Sequence, residues 1–488
     1  MEDKDIIKNI AEKIEEPEET KEPEKVAIAK KESRDSAISK NSEGDCKYIS
    51  PTENKKLDFS VKRIGKAKLQ SPLSDIENLE LKKSYYIRDS KDRVRFNALV
   101  NIKEEPDVIS FEKAGPRSKI YHDPNRTKAG IVTCGGLCPG LNDVIRSIVK
   151  ELEIWYKVKK VWGFRFGYHG LGRNPEELPM LLSPDEVEDI HTRGGTILGS
   201  SRGNPPVDEM IQTLEDKGIN ILFCIGGDGT LKGAHALAEE IERRGLEISV
   251  IGIPKTVDND IPFVEKSFGF QTAVEEASKA LDCVHIEATC TPHGIGIVKL
   301  MGRDAGFITA YATRSSGSVD FCLIPEMNFS LDGKGGLYEK VKEQLAEKGH
   351  AVIAVAEGAG QNLIGIKDET DDSGNVKFND IGRHIRDDLG QYFADKWDMK
   401  VNIKYISPSY QIRSVPANSQ DSIFCADLAR FAVDAGMAGK TDMMVGHWKG
   451  EFTNVPLATI LNIKRRMRKD HRGWLSVLAS TGQPPEWW

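Results

Sequence analysis

Cys224-Ile-Gly-Gly-Asp-Gly-Thr230 stands directly after the apolar run Ile219 to Ile225 and directly before Leu231-Lys-Gly-Ala-His-Ala-Leu-Ala-Glu-Glu-Ile-Glu-Arg-Arg244. An apolar run of strand length, a cluster of glycines, a threonine and then apolar residues at helical spacing read as strand, tight turn and helix. The pattern predicts a phosphate site. Gly226, Gly227 and Gly229 have no Cβ, so the backbone can approach a polyphosphate closely, while the helix start aims unpaired N–H groups and partial positive charge at it. A carboxylate at Asp228 would repel phosphate unless a cation lay between, so the simplest role for Asp228 is to hold Mg²⁺. An ordinary strand-to-helix turn is the alternative that the motif alone leaves open.

Outward from this turn, the predicted helix ends near Gly245 and a new strand, Ile248-Ser-Val-Ile-Gly-Ile253, leads to the tip Pro254-Lys-Thr-Val-Asp-Asn-Asp-Ile261. One parallel βα unit separates Asp228 from Asp258, so both tips are expected to open on the same edge of the sheet. The two carboxylates then divide labour, Asp228 on the metal and Asp258 within reach of an acceptor hydroxyl whose proton must leave during phosphoryl transfer. In isolation a Thr-Val-Asp-Asn-Asp run is more simply a solvated Asx-rich turn; its place beside the glycine turn reverses that reading. Lys255 supplies a cation for a phosphoryl oxygen. Gly302-Arg303, after the predicted strand Gly294 to Leu300, is expected to add a guanidinium at the same face, and Arg202, after Leu198-Gly-Ser-Ser, repeats the theme. Cations at several strand tips beside two aspartates form an anion clamp.

Further strands and helices alternate on both sides of this pair. Lys128 to Thr133, Lys160 to Phe164, Phe321 to Ile324, Ala351 to Val355 and Val401 to Ile406 read as strands. Helices are predicted over Leu141 to Ile154, Pro184 to Thr192, Val207 to Lys217, Gly336 to Lys348, Ile381 to Lys396 and Gln420 to Ala438, with a hairpin around Lys449-Gly450 and a basic helix over Leu461 to Arg468. Alternation of this kind implies an α/β fold with mostly parallel, doubly wound sheets whose ligands collect beyond the carboxyl ends of the strands. The expected organisation is a charged, disordered tail over 1–60, an N-terminal extension packed on the body over 61–124, a nucleotide-binding α/β domain over 125–315, a second, sugar-phosphate-binding α/β domain over 316–460 with the chain crossing back near its end, and a C-terminal helix and tail over 461–488. The tail carries too little apolar surface to offset the entropy of ordering it.

Composition narrows the function classes. With 488 residues, 39% of them hydrophobic, the chain supports more than one core, and its net charge of -7 argues against a general polyanion binder such as a nucleic-acid protein. No apolar run reaches the roughly 18 residues of a membrane span, and the acidic, polar start fits neither a secretory signal nor a transit peptide, so a cytoplasmic location is expected. The eight cysteines (Cys46, Cys134, Cys138, Cys224, Cys283, Cys290, Cys322 and Cys425) fall mostly in apolar segments and read as reduced, packed thiols. Cys134 and Cys138 have no second Cys or His pair, which argues against zinc.

Together Gly130-Ile-Val-Thr-Cys-Gly-Gly-Leu-Cys-Pro-Gly-Leu-Asn142, Gly194-Gly-Thr-Ile-Leu-Gly-Ser-Ser-Arg202, Gly226-Gly-Asp-Gly-Thr230, Pro254-Lys-Thr-Val-Asp-Asn-Asp260 and Met301-Gly-Arg303 resemble the phosphofructokinase family, in order and at family-like spacing. The stretch Phe111 to Tyr121 extends the similarity to the ATP-dependent enzymes of plants and trypanosomatids that cluster with pyrophosphate-dependent ones. The resemblance implies two Rossmann-like domains with the active site in the cleft between them, and transfer of the ATP γ-phosphoryl group to the 1-hydroxyl of fructose 6-phosphate with Mg²⁺. It implies nucleotide contacts at Gly136, Arg202, Gly203, Gly227, Asp228, Gly229 and Thr230, with Asp228 on the metal. Sugar-phosphate contacts are implied at Thr256, Val257, Asp258, Met301, Gly302, Arg303, Glu357, Tyr410 and Arg413. Asp258 resembles the proton acceptor, assisted by Lys255 and Arg303; Glu357 fits a sugar hydroxyl and Arg413 the 6-phosphate. A homotetramer under allosteric control is implied in the same way.

Donor choice turns on two positions. In the family, pyrophosphate users carry Asp where this chain has Gly229 and Lys where it has Lys255. Better-known bacterial enzymes have glycine at the latter position, histidine at Tyr410 and an arginine near Gly294. Steric exclusion and like-charge repulsion at Gly229 are harder to evade than an extra cation is to tolerate, so ATP is the expected donor, with pyrophosphate the alternative. Lipid and NAD kinases share a Gly-Gly-Asp-Gly turn but leave the Thr-Val-Asp-Asn-Asp and Met-Gly-Arg tips unexplained. A silent regulatory subunit would be free to lose Asp228, Asp258 or Arg303, and this chain keeps all three.

Overall fold

Residues 58–73, 86–87, 91–97, 109–365, 369, 376–461 and 463–485 are described in a computed structural model of the chain. The expected charged tail lies outside the described residues except for its last three. Of these, Phe59 is buried, with its ring 4.7 Å from that of Phe111 and 5.2 Å from that of Phe263.

The chain begins with β1 (Leu69–Gln70), β2 (Arg93–Arg95), β3 (Ser110–Lys113) and β4 (Lys119–Ile120). It then alternates through β5 (Lys128–Thr133), α1 (Leu141–Lys150), β6 (Lys160–Phe164), β7 (Met180–Leu182), α2 (Val207–Lys217), β8 (Ile221–Gly226), α3 (Asp228–Arg243), β9 (Ser249–Pro254) and α4 (Phe270–Thr289). A second series contains β10 (Gly294–Leu300), α5 (Phe307–Ser316), β11 (Phe321–Leu323), α6 (Leu337–Lys348), β12 (His350–Ala356), α7 (Gln361–Ile364), α8 (Ile381–Trp397), β13 (Asn402–Ile406) and α9 (Gln411–Ser414). Last come α10 (Ser419–Met437), β14 (Met443–Trp448), β15 (Glu451–Pro456) and α11 (Arg472–Thr481).

Two sheets organise these elements, in line with the α/β expectation. The larger has nine strands in the order β2-β3-β15-β14-β9-β8-β5-β6-β7, the smaller four in the order β11-β12-β10-β13. At the centre of the larger sheet β5, β8 and β9 run parallel. Their middle positions are apolar on both sides because both faces are covered: Ile131, Phe223 and Ile251 share a core cluster with Ile145 of α1 and Ala432 of α10. Val132, Cys224 and Val250 share another with Ile211 of α2 and Leu237 of α3. The hairpin β14–β15 turns at Lys449 (φ 54°) and Gly450 (φ 79°), the paired positive values of a tight type I′ turn. Residues read as an N-terminal extension supply two strands of this sheet, β3 pairing with β15 and β2 with β3.

The smaller sheet is wholly parallel. Its Ile295, Ile353 and Val355 pack with α6 and α8, while Val352 and Ala354 join the cluster that contains Leu281 of α4 and Ile308 of α5. The boundary expected near 315 does not match sheet membership. Gly294–Leu300, read with the first half, pairs with His350–Ala356 and Asn402–Ile406 instead, whereas β14 and β15 return to the larger sheet at the place where the chain was expected to cross back. The 20-residue α4 makes the crossing; at about 1.5 Å per residue it spans roughly 30 Å. Both sheets belong to one compact unit, Cys46–Trp488.

Two expected helices do not form as read. Between Pro184 and Thr192 only Ile190–Thr192 makes a 3₁₀ turn. The Glu188 carbonyl accepts from Arg146 Nε at 3.0 Å, and the Thr192 N–H turns to Asp189 O, so the i→i−4 ladder is broken. Among the described residues of 461–468 the chain is not helical, because the Arg465 N–H donates to Asp260 O at 2.8 Å and the Met467 N–H to Glu326 Oε1 at 2.7 Å, across the molecule rather than along a helix.

Candidate active site

The glycine turn forms the first wall of a cavity of about 1120 Å³. Helix α3 begins at Asp228 with Gly227 as its N-cap, three residues before the expected start, so the N–H groups of Asp228, Gly229 and Thr230 fall in the first turn, where no helical carbonyl precedes them. Leu231 N closes the first helical bond on Gly227 O at 3.0 Å. Gly226 is dictated by close approach, since a Cβ there would meet Thr230 Oγ1 at 2.1 Å. Gly229 is different: a Cβ there meets nothing within 4 Å and would project into open cavity. The Asp228 carboxylate lines the same space and pairs with Lys232 Nζ at 3.0 Å. Gly136, Arg202 and Gly203 also line this wall.

The neighbouring tip is held in register. Gly226 lies opposite Pro254 in the β8–β9 ladder, and Lys255 N continues it by donating to Gly226 O at 2.9 Å. Both tips therefore open on one edge, as expected. Lys255 is buried, its ammonium donates to Gly136 O, and burial pushes its pKa down. Thr256 Oγ1 donates to Asp260 Oδ1 at 2.6 Å and accepts the Asp258 N–H at 3.2 Å. Val257 lines the cavity with Thr256 and Asp258. Asp258 is half-buried as a residue, yet its Oδ1 is fully enclosed and has no hydrogen-bond partner. Burial raises its carboxyl pKa well above the usual range; Asp260, Glu357 and Asp304 add to the rise, and Lys464 opposes it.

The Met301-Gly-Arg303 loop comes from the opposite wall, not from the same sheet edge as expected, because β10 belongs to the smaller sheet. Met301, Arg303 and Glu357 line the cavity from there, with Glu357 N bonded to Leu300 O at 2.9 Å. Gly302 is the expected site residue absent from the lining. At φ 133°, with a Cβ that would sit 2.7 Å from Ala305 O, it serves the backbone of the loop. Arg303 Nη2 donates to Val376 O at 2.6 Å, and the guanidinium lies 4.3 Å over the Phe378 ring. Burial raises the Glu357 pKa, while Arg303, Lys299 and Arg413 draw it down. Arg413 lies 4.9 Å over the exposed Tyr410 ring, and its Nη1 is 3.4 Å from where a Cβ on Gly136 would sit, so it reaches toward the first wall.

Sequence reasoning missed a polar group on the far wall. Lys299 Nζ donates to Asp380 Oδ2 at 2.8 Å, Tyr405 OH to Asp380 Oδ1 at 3.0 Å, and Arg383 Nε lies 3.6 Å from Asp380 Oδ2. Lys299, Asp380, Arg383 and Tyr405 all line the cavity, as does Lys464. In β10 there was a signal, Lys299 breaking an otherwise apolar strand near its carboxyl end. Cys134 and Cys138 are free thiols; burial pushes Cys134 up to about 12, and Cys138 Sγ donates to Phe268 O at 3.2 Å.

The phosphofructokinase sequence profile matches residues 128–436. The chain belongs to the phosphofructokinase family. It is 46% identical over 441 residues to the ATP-dependent 6-phosphofructokinase of Borreliella burgdorferi, covering 88% of this chain and 98% of that protein. To ATP-dependent 6-phosphofructokinase 7 of Arabidopsis thaliana it is 44% identical over 417 residues, 85% of each chain. Among solved structures, the pyrophosphate-dependent phosphofructokinase of Marinobacter aquaeolei superposes with a TM-score of 0.62 at 19% identity, over 73% of this chain and 91% of that one. Phosphofructokinase of Pichia pastoris in the T-state gives 0.58 at 20% identity, over 85% and 45%. These two structures share the phosphofructokinase fold.

Proposed function

We propose that this chain transfers the γ-phosphoryl group of ATP to the 1-hydroxyl of fructose 6-phosphate, giving fructose 1,6-bisphosphate and ADP. The observation that carries the reading is the register of the β8 and β9 tips, which sets the N-terminus of α3 and Asp258 on one rim of a cavity whose other rim holds Arg303 and Glu357. The α3 N–H groups, with Arg202, hold the nucleotide phosphates. Thr256, Met301, Arg303, Glu357, Tyr410 and Arg413 hold the sugar phosphate, Arg413 on the 6-phosphate. Asp258 takes the proton of the attacking hydroxyl on its unpartnered oxygen, and Lys255 and Arg303 stabilise charge on the transferring group.

The donor set fits Mg²⁺ held mainly by substrate. Among the described residues no cluster of three or more His, Cys, Asp or Glu could cage a metal, and Asp228 is the carboxylate that the glycine turn itself contributes to the cavity wall, the arrangement in which phosphate oxygens and water complete the shell. Mg²⁺ bound there offsets charge on the phosphoryl oxygens. The curated relatives named above are ATP-dependent, and the open space at Gly229 leaves room for the inner phosphate of a nucleotide. By the same resemblance the enzyme is an allosterically controlled homotetramer; no helix among the described residues is long and apolar enough to cross a membrane.

A coupled assay with fructose 6-phosphate, comparing ATP with pyrophosphate, tests the reading. Turnover with ATP is expected to exceed that with pyrophosphate. Turnover with pyrophosphate alone would shift the weight to Lys255, and none with either donor would sink the assignment.

A further inference from the structure

The reaction as described leaves the basic run Lys464-Arg465-Arg466-Met467-Arg468 without a role. In the structure it is a strap that touches both rims of the cavity. Arg465 Nη1 donates to the carbonyls of Asn259, Val264 and Glu265 at 3.1, 3.3 and 3.1 Å, and Arg465 N to Asp260 O at 2.8 Å. The guanidinium is seated 4.5 Å over the Phe307 ring at the start of α5. Lys464 lines the cavity and pairs with Asp304, the residue after Arg303. Met467 N donates to Glu326 Oε1 at 2.7 Å, and the same carboxylate accepts Gly306 N at 3.0 Å.

We infer that residues 464–467 are a positioning clamp for the reacting groups, Arg465 fixing the turn that carries Asp258 and Lys464 tying that rim to the loop that carries Arg303. The inference rests on the reading above that Asp258 takes the substrate proton. The turn needs an external hold. Asn259 and Phe263 occupy left-handed backbone at φ 56° and 59°, which asparagine adopts readily but which a residue as bulky as Phe263 keeps only where surroundings over-determine it. Asp258 Oδ1 has no side-chain partner to orient it, so the carboxylate goes where the backbone puts it. The three carbonyls share the two hydrogens of one guanidinium nitrogen, while the planar, permanently charged group lies over the Phe307 ring, a stacking that a Lys ammonium does not reproduce.

Lys464 has a second consequence. Asp258 is faced by Asp260, Glu357 and Asp304, all raising its proton affinity, and by Lys464, which lowers it; Lys255 and Arg413 also line the cavity. The strap therefore places a cation where the crowded carboxylates need one.

The test compares wild type, Arg465→Ala, Arg465→Lys and Lys464→Met, measuring kcat, KM for fructose 6-phosphate, melting, and hydrogen exchange of the Glu265 and Ser267 amides, which donate to His447 O and Asn259 Oδ1. For Arg465→Ala, kcat is expected to fall roughly 30- to 100-fold, the usual cost of misplacing a reacting group by about an ångström. KM should change less than threefold and millimolar guanidinium should recover part of the loss. Glu265 and Ser267 should lose protection while β8 and β9 keep theirs. Arg465→Lys should fall between, and Lys464→Met should move the acid limb of the kcat/KM profile to higher pH. Should Arg465→Ala not fold, the other two variants decide. Unchanged turn exchange, or kcat within twofold of wild type in the variants that fold, overturns the clamp. The exchange readout needs no turnover, so an inactive wild type would count against the kinase reading while the clamp was still being judged.

Discussion

Asp258 combines an unpartnered, enclosed oxygen with a carboxyl pKa pushed up by burial and by three neighbouring carboxylates, a combination suited to accepting a proton at neutral pH. Asp258→Asn keeps the shape and removes the base. It is expected to lower kcat by roughly 10²- to 10⁴-fold, the usual range for a general base, with little change in KM for the sugar phosphate; near-normal turnover would refute the role. Gly229 makes a cleaner probe than most glycines, because a side chain there meets nothing and an aspartate near a helix N-terminus is well tolerated. Gly229→Asp should therefore melt like wild type while kcat/KM for ATP falls at least tenfold, through like-charge repulsion at the phosphates. An unchanged value would show that donor choice lies elsewhere. The identities of these two residues were legible from the sequence because strand, turn and helix carry local signals. The backbone role of Gly302, at φ 133°, was not legible, because φ leaves no trace in the residue name.

Elements were read well where hydrophobic periodicity set them, and badly where side chains claimed the backbone. Strands β5, β8 and β9 follow their apolar runs, whereas 184–192 and 461–468 lost helical bonds to Arg146, Asp260 and Glu326, partners far away in sequence. Helix α1 shows a subtler departure. It runs into a π-turn, Glu151–Trp155, which sets Glu151 near Asp434 of α10, itself bonded to Tyr156 OH at 2.6 Å. Burial, then the charge of Asp434, raises Glu151 from 4.5 to about 8. A carboxyl with a raised folded pKa binds its proton more tightly in the native state, so its ionisation erodes stability as pH climbs from the unfolded value through the folded one. Discounted for partial exposure, roughly 1–2 kcal/mol should be lost between pH 6 and 8.5. Glu151→Gln should flatten that fall in urea melts at the two pH values; an identical slope would remove Glu151 as its source.

At the scale of the whole molecule, the sequence pointed to an α/β fold with a cleft but not to which sheet owned which strand. The assignment of β10 to the smaller sheet, and of β2, β3, β14 and β15 to the larger, depends on pairings between segments up to several hundred residues apart, which no local pattern encodes. One buried group fastens three of those segments together. Glu112 on β3 accepts from Arg117 Nη2 at 3.0 Å and from Asn454 Nδ2 on β15 at 2.7 Å, and pairs with the wholly buried Lys440 just beyond α10. Such a hub need not outperform apolar packing, but removing one member strands the opposite charge in a low dielectric. Glu112→Gln preserves the shape and removes the buried carboxylate charge that Lys440, Arg117 and Asn454 share. It is expected to cost about 3–5 kcal/mol in a urea melt, while kcat measured where the variant is still folded stays near wild type, because Glu112 lies outside the cavity lining. A loss below about 1 kcal/mol, the scale of an exposed pair, would mean that the N-terminal strands are held by the Phe59, Phe96, Phe111 and Trp448 ring cluster rather than by the buried charge.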